Sequence, residues 1–548
     1  LDVTPAEAAV FEEVLSGVEA GRAGHGLLTG IPHFGVPRIS RFPWRCAGIR
    51  SGKGTRTGRR RVDWLAAPES FWGRLVLERG VAALYAVAFA AAALQFRGLI
   101  GVRGMTPVPR YVAQRRFWSS PSVFVLHYSD RFFAVVCLAG ATTATAMLAG
   151  LSDLLPLWGS VLVWLAMWAA YLSIVNVGQI WYSFGWESLL LETGFLVAFL
   201  GNDETATPVV VIWLTRWLLF RVEFGAGLIK LRGDRCWRDL TCLDYHHETQ
   251  PMPGPFSWFF HRMPKPLHRV EVVGNHVVQL VVPFGLFAPQ PVASTAAAII
   301  VVSQLWLVLS GNFSWLNWLT IVLAASVVDT STVSAVFGAM PPVGVTTVPT
   351  WFGVLAIAVS TLILVLSWRP ARNLMSPHQR MNSTFDVFHL VNSYGAFGTV
   401  GRTRQEVVFE GTSDAHLGAD THWTEYAFKG KPGDVRRLPR QWSPYHLRLD
   451  WLMWFAALSP SYARPWIGRL CEGMLTNDPV IMALLRDNPF ADAPPRFVRA
   501  LLYDYRFTTM RELLAERAWW HREPIGVYLQ PVGLGDAPRL RHVSRSPT

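Results

Sequence analysis

Apolar runs of near-membrane length dominate the first two-thirds of the chain. They fall near residues 74–96, 131–151, 157–177, 185–201, 208–230, 271–288, 292–310, 312–328 and 350–367. A hydrocarbon core of about 30 Å takes roughly 20 helical residues. Several runs are short or interrupted, so the pattern predicts a polytopic α-helical membrane bundle of eight or nine spans within residues 63–370. After Arg369 the period changes. FDVFHLVNSYGAFGTVG, QEVVFEG, HWTEYAFKG and the late IGVYLQPV alternate apolar and polar positions between glycine-containing turns, which reads as strand. YHLRLDWLMWFAALSP reads as a core helix. Together they predict a soluble, strand-rich α+β domain over 385–535, large enough for a core of its own. Residues 1–62, rich in Gly and Arg and without sustained periodicity, are expected to be a disordered basic extension. The run Arg59, Arg60, Arg61 favours a cytoplasmic start. Nine spans would then carry both the polar loop 231–270 and the C-terminal domain to the exoplasmic side. Arg97, Arg103, Arg110, Arg115 and Arg116 after the first span argue the other way.

Composition agrees with the pattern. Hydrophobic residues make up 51% of the 548 positions and charged residues only 16%, against roughly 25% charged in soluble domains. The net charge of +12 is almost entirely arginine. In a membrane protein such a balance suits loops beside anionic headgroups, and no nucleic-acid-binding module is visible. Heavy Arg, Ala, Gly and Val use suggests a GC-rich bacterial source. Five cysteines, Cys46, Cys137, Cys236, Cys242 and Cys471, are too few for a disulfide scaffold.

Ionisable residues inside the runs carry more information. Arg216, Glu223 and Lys230 are spaced by seven, so they share one helix face over about 21 Å. Each charge at bilayer depth costs about 2.5 kcal/mol or more unless paired or hydrated. With Glu187, Glu192, Arg221, Asn275, His276 and Gln279 they predict an intramembrane polar seam, and Glu271, Asn275 and Gln279 share a face. The seam is either ion-pair glue or the wall of a ligand-facing cavity. It runs straight into a dense loop holding Arg235, Cys236, Trp237, Arg238, Asp239, Cys242, Asp244, His246, His247 and Glu248. The cysteines and histidines could ligate zinc, but C-x5-C followed by adjacent histidines is not a standard zinc spacing. A Cys236–Cys242 disulfide is open if the loop is exoplasmic. So is a packed loop with Arg238, Asp239 and Asp244 paired locally. The chain has no G-x-S-x-G, H-E-x-x-H or P-loop signature, and no cofactor is expected.

YSFGWESLLLETGFLVAFLG, GLIKLRGDRCWRDLTCLDYHHETQPMPGP, NHVVQLVVPF, SGNFSWLNWLTIV, EYAFKGKPGD and SPYHLRLDWLMWFAAL, in that order, closely resemble the lipase maturation factor family over residues 63 to 532. The resemblance implies a multi-pass membrane protein of the endoplasmic reticulum in eukaryotes, or of the plasma membrane in a bacterium. Such a factor assists folding and assembly of a client, a secreted lipase, at the exoplasmic face, and is not itself an enzyme. More distantly, Gly227, Lys230, Leu231 and Trp237 are similar to the horizontally transferred transmembrane domain of vitamin K-dependent carboxylases. That resemblance implies an alternative: a membrane enzyme acting on a lipid-soluble or peptide substrate with Lys230 as base. The sequence does not define the oligomeric state.

Overall fold

A computed structural model describes residues 61–339, 347–535 and 540–542. Most of the N-terminal extension expected to be disordered, with Cys46, Arg59 and Arg60, lies outside the described residues. The chain enters through a two-residue strand β1 (Arg61–Val62) and the long helix α1 (Phe71–Leu99). It continues through α2 (Asp130–Ala149), α3 (Leu157–Val177), α4 (Gly185–Val197) and α5 (Val209–Arg232). A short helix in the polar loop, α6 (Leu243–Thr249), leads to α7 (Lys265–Leu280), α8 (Val292–Ser310), α9 (Leu316–Ala325) and α10 (Thr330–Phe337). The strand β2 (Val348–Pro349) pairs antiparallel with β1 just before α11 (Thr350–Leu366).

Among the described residues, six helices rather than eight or nine are long and apolar enough to cross a bilayer, or seven if the bent pair α9–α10 is one span. The shortfall has three physical causes. First, α4 has only 13 residues, about 20 Å of rise. All but its Phe195 are buried, so it is a core helix inside the bundle. Second, α5 has 24 residues, about 36 Å, but Arg216, Arg221, Glu223 and Lys230 make it too polar to face lipid. Third, the run at 312–328 bends by 94° between α9 and α10.

The C-terminal region forms one antiparallel sheet in the order β4-β3-β5-β6-β7, with β3 (Arg404–Thr412), β4 (Thr424–Glu425), β5 (Phe497–Phe507), β6 (Trp520–Leu534) and β7 (Leu540–His542). The buried helix α12 (Arg448–Leu458) packs on β3. QEVVFEG and IGVYLQPV fall in β3 and β6 as their alternation predicts. HWTEYAFKG supplies only the two residues of β4, and FDVFHLVNSYGAFGTVG is not a strand. In that last segment the backbone N–H groups go elsewhere: those of Phe388, Leu390 and Val391 donate to Asp386, and that of Asn392 to Glu192.

The core does not stop at the membrane boundary. One continuous apolar cluster runs from Leu65 through Tyr85, Trp181 and Trp315 to Phe409, Trp466 and Val532. Close approach inside the bundle relies on glycine where α1 meets α4: a Cβ on Gly194 would sit 2.0 Å from the Tyr85 hydroxyl. Bundle and sheet are also joined by charge. The guanidinium of Arg448, at the start of α12, donates to Glu187 Oε1 at 2.6 Å and to the Trp181 carbonyl at 2.6 Å, and all three residues are buried.

Removing one member of a buried pair strands the other, at a cost of about 3–5 kcal/mol. Arg448→Met is therefore expected to lower the denaturation midpoint of the detergent-purified protein sharply. Glu187→Gln/Arg448→Met should recover much of the loss, because no uncompensated carboxylate remains. Equal midpoints for the single and double variants would show that this pair does not hold the two parts together.

Candidate functional site

The polar loop begins where α5 ends at Gly233. A Cβ there would lie 2.3 Å from the Gly398 carbonyl, so the returning C-terminal chain needs glycine at this crossing. Asp234 caps the next turn, accepting from Cys236 N at 3.0 Å, and takes two bonds from Arg402 at 2.9 and 3.1 Å. Cys236 and Cys242 are joined by a disulfide with Cα atoms 4.8 Å apart, so neither sulfur offers a thiolate to a metal. Trp237 donates its indole N–H to the Phe397 carbonyl at 2.8 Å, and its own carbonyl contacts His276 Nε2 at 3.1 Å.

Of the charged loop residues, Asp239 is paired locally, with Arg235 at 3.2 Å. Asp244 pairs with the start of α7, with His268 at 3.2 Å and Lys265 at 3.9 Å. Arg238 is exposed and has no ion pair among the described residues. His246 is buried against Phe313 and Phe397, and His247 is buried with neither ring nitrogen hydrogen-bonded. Glu248 accepts from Phe507 N at 2.6 Å and faces His261 at 3.5 Å. The rest of the loop is gripped by the sheet domain. Arg404 donates to the carbonyls of Glu248 at 2.9 Å and Pro251 at 3.2 Å, and Trp258 Nε1 donates to the Thr508 carbonyl at 2.8 Å.

The predicted seam divides into three groups. Glu187 binds Arg448 and the Tyr171 hydroxyl. Glu192 binds Arg221, the Asn392 backbone and side-chain N–H groups at 3.0 Å each, and the Tyr394 hydroxyl at 2.7 Å. These two groups are ion-pair glue. The third, Glu223 and Lys230 with Asn275 and Gln279, lines a cavity of about 660 Å³ between α5, α7, α8 and α9. Lys230 Nζ donates to Asn275 Oδ1 at 2.8 Å and Gln279 Oε1 at 2.9 Å and sits 4.9 Å from the Trp237 ring centre. Arg216, expected on the same stripe, does not reach the cavity; it donates to the Leu286 carbonyl at 3.1 Å and stacks over Trp213. His276 belongs to the loop through Trp237. A second cavity, about 390 Å³, lies beside α12 and shares His246, Phe313 and Phe397 with the first.

Arg448, Asn392, Tyr394, Arg404, Gln304 and Asn317 were missed as site residues. A signal existed for Arg448, an arginine opening the apolar run RLDWLMWFAAL. The others carry no local mark, because they matter only through partners at least 80 residues away in most cases, as with Glu223 and Gln304, separated by 81.

A helical membrane bundle whose buried Glu187 is paired from a C-terminal sheet domain, beside a disulfide-closed loop, defines an integral membrane protein built as one composite body. The family profiles described as lipase maturation factor transmembrane domain and lipase maturation factor C-terminal domain match residues 72–335 and 390–530. The chain is 42% identical to lipase maturation factor 1 of Bos taurus over 507 residues, covering 85% of this chain and 90% of that protein. It is 40% identical to lipase maturation factor 1 of Homo sapiens, covering 85% and 88%, and 30% identical to lipase maturation factor 2 of Rattus norvegicus, covering 84% and 82%. The chain belongs to the lipase maturation factor family. No solved structure matches it significantly. These relatives are vertebrate proteins and lend no support to a bacterial source, and nothing in the comparisons favours the carboxylase-like alternative.

The histidines at the junction make its stability depend on pH. Burial pushes His261 down to about 3 and His389 and His446 down to about 4, from an ordinary value of 6.5. The folded state then binds fewer protons than the unfolded state between these values, so stability is full above pH 6.5 and falls as the pH drops below it. Melting temperature in detergent is expected to decline from pH 7.5 to pH 5, and less steeply in His446→Phe. A flat profile over that range would contradict the assignment.

Proposed function

We propose that this chain is a membrane-embedded maturation factor for secreted lipases, holding an incompletely assembled client at the exoplasmic face, the lumenal face in an endoplasmic reticulum. The observation that carries this reading is the 42% identity to a lipase maturation factor along 85% of the chain, through both the bundle and the sheet domain. Three features support the arrangement. The loop and the sheet domain are bonded to each other and so lie on one side of the bundle. The Cys236–Cys242 bond suits an oxidising compartment. The Arg448–Glu187 ion pair and the Asn392 and Tyr394 hydrogen bonds to Glu192 tie the C-terminal region to the bundle, so that it can serve as a platform.

The client-facing surface is the irregular stretch of β6. Its register with β5 shifts at three places, and bulges of this kind push residues out of a regular ladder. Ile525 and Val527 are 49% and 54% exposed there, while β7 covers only Val532 to Leu534. Apolar side chains on a rigid, exposed ledge suit contact with the uncovered apolar surface of an unassembled lipase.

Deletion of the C-terminal domain is a poor test, because it would remove Arg448 from Glu187 and the Asn392 and Tyr394 hydrogen bonds from Glu192 and so destabilise the bundle. Surface substitutions are cleaner. In cells lacking their own factor, the wild-type chain is expected to restore secretion of active lipase. Ile525→Asp/Val527→Asp should reduce both secreted activity and lipase co-purification several-fold at unchanged melting temperature. No rescue by the wild-type chain would refute the proposed function, and full rescue by the double variant would refute the assignment of the surface.

A further inference from the structure

The 660 Å³ cavity between α5, α7, α8 and α9 holds polar groups that the family assignment does not explain. Gln304 Nε2 donates to Glu223 Oε1 at 2.7 Å, and Asn317 Nδ2 donates to Gln304 Oε1 at 2.7 Å. The carboxylate orients this chain of bonds. It can only accept, so Gln304 must present its N–H to it and its carbonyl to Asn317, which must then donate. Two acceptors are left over, Glu223 Oε2 and Asn317 Oδ1. Both are buried, 1% and 3% exposed by residue, and neither has a hydrogen-bond partner, although Gln279 also faces Glu223. Native proteins rarely leave two such acceptors on one wall.

The other walls define what could meet them. Lys230 lines the same cavity as two carboxylates, Glu223 and Glu271. A ligand carboxylate would add a third negative charge to this lining. The remaining lining is largely apolar, including Val222, Ala226, Ile299 and Leu307. The cavity reaches the outside between α7 and α8, where Val270 and Val302 are 66% and 68% exposed. In the most apolar 18 residues of the span containing α7 only 22% are buried within the protein, which leaves an apolar outer face fit for lipid tails. The volume lies inside the roughly 300–1,000 Å³ range of small-molecule sites.

We infer that this cavity binds one single-tailed lipid with a neutral, hydroxyl-bearing head, a monoacylglycerol in its simplest form, entering sideways from the bilayer between α7 and α8. The head hydroxyls donate to Glu223 Oε2 and Asn317 Oδ1, and the tail lies along the apolar wall toward the mouth. The site goes beyond the maturation role and does not depend on it.

The test is equilibrium binding of tritiated 2-oleoylglycerol to the detergent-purified full chain, with unlabelled 2-oleoylglycerol, oleate and lysophosphatidylcholine as competitors. Saturable binding displaced by 2-oleoylglycerol, but not by oleate or lysophosphatidylcholine, is expected. Asn317→Leu should weaken it by about ten-fold, the worth of one buried hydrogen bond. Gly274→Phe provides an independent check. Gly274 lines the cavity and a Cβ there meets nothing within 4 Å, so this variant should fold, keep its melting temperature and lose binding. Absence of saturable binding to the wild-type chain, the result if water alone fills the cavity, would overturn the inference. So would equal displacement by oleate, or unchanged binding in Gly274→Phe. Lipase secretion is not read in any arm, so failure here leaves the maturation assay standing.

Discussion

A carboxylate buried between membrane helices needs a partner, and Glu187 finds its partner 261 positions along the chain in Arg448. The architecture depends on this. The pair desolvates both charges completely, so neither part is tolerable alone: the bundle without α12 holds a bare carboxylate, and the sheet domain without α4 holds a bare guanidinium. Glu192 is paired within the bundle by Arg221 and takes further hydrogen bonds from Asn392 and Tyr394, in the segment before the sheet. Both carboxylates thus depend in part on the C-terminal third of the chain, in keeping with the one apolar cluster that runs through both regions.

The polar loop is the hinge of this arrangement in a structural sense. It is closed on itself by Cys236–Cys242, tied to the returning chain by Asp234 with Arg402 and by Trp237 with Phe397, and gripped from the sheet by Arg404. Arg404 in turn pairs with Glu406, which also receives Lys431 at 2.8 Å. A dense polar loop at a helix end therefore requires no chemistry of its own to account for most of its residues. Two of its histidines are the exception in character: burial holds His246 and His261 below the ordinary imidazole value, which makes the junction sensitive to acid where a loop of amides would not be.

The sequence made the helices, the sheet domain and the cavity face legible to different degrees, for physical reasons. Period and length identify α1, α2, α3, α7, α8 and α11, each of which holds an apolar stretch of membrane length. They also admit α4, α5 and α9–α10, because a helix buried in protein can be as apolar as one in lipid, and because the charges on α5 find partners only in the folded chain. The stripe Glu271, Asn275 and Gln279 was readable at helical spacing, and all three residues line the cavity. Arg216 was not separable from Glu223 and Lys230 by spacing alone, because its guanidinium is long enough to leave the stripe for the Leu286 carbonyl. β5, the central partner of both β3 and β6, was missed entirely. FVRALLYDYRF does not alternate cleanly, and its bulged pairing to β6 shifts the register in the middle of the strand.

The two cavities bear on how bundle and sheet domain can influence one another. They meet at His246, Phe313 and Phe397, and Gly395 and Ala396 line both. This wall is thin and has little room to yield. A Cβ on Gly395 would lie 2.8 Å from the Met381 side chain, and Phe397 packs on His246 with ring centres 4.8 Å apart. Close-packed interiors transmit strain because they cannot absorb volume locally. The segment 394–397 lines the cavity between α5 and α8 and also carries Tyr394 to Glu192 and the Phe397 carbonyl to Trp237. The same few residues separate the membrane-facing space from α12 and anchor the chain that leads into β3. Any coupling between the interior of the bundle and the exposed sheet has its shortest physical route through them.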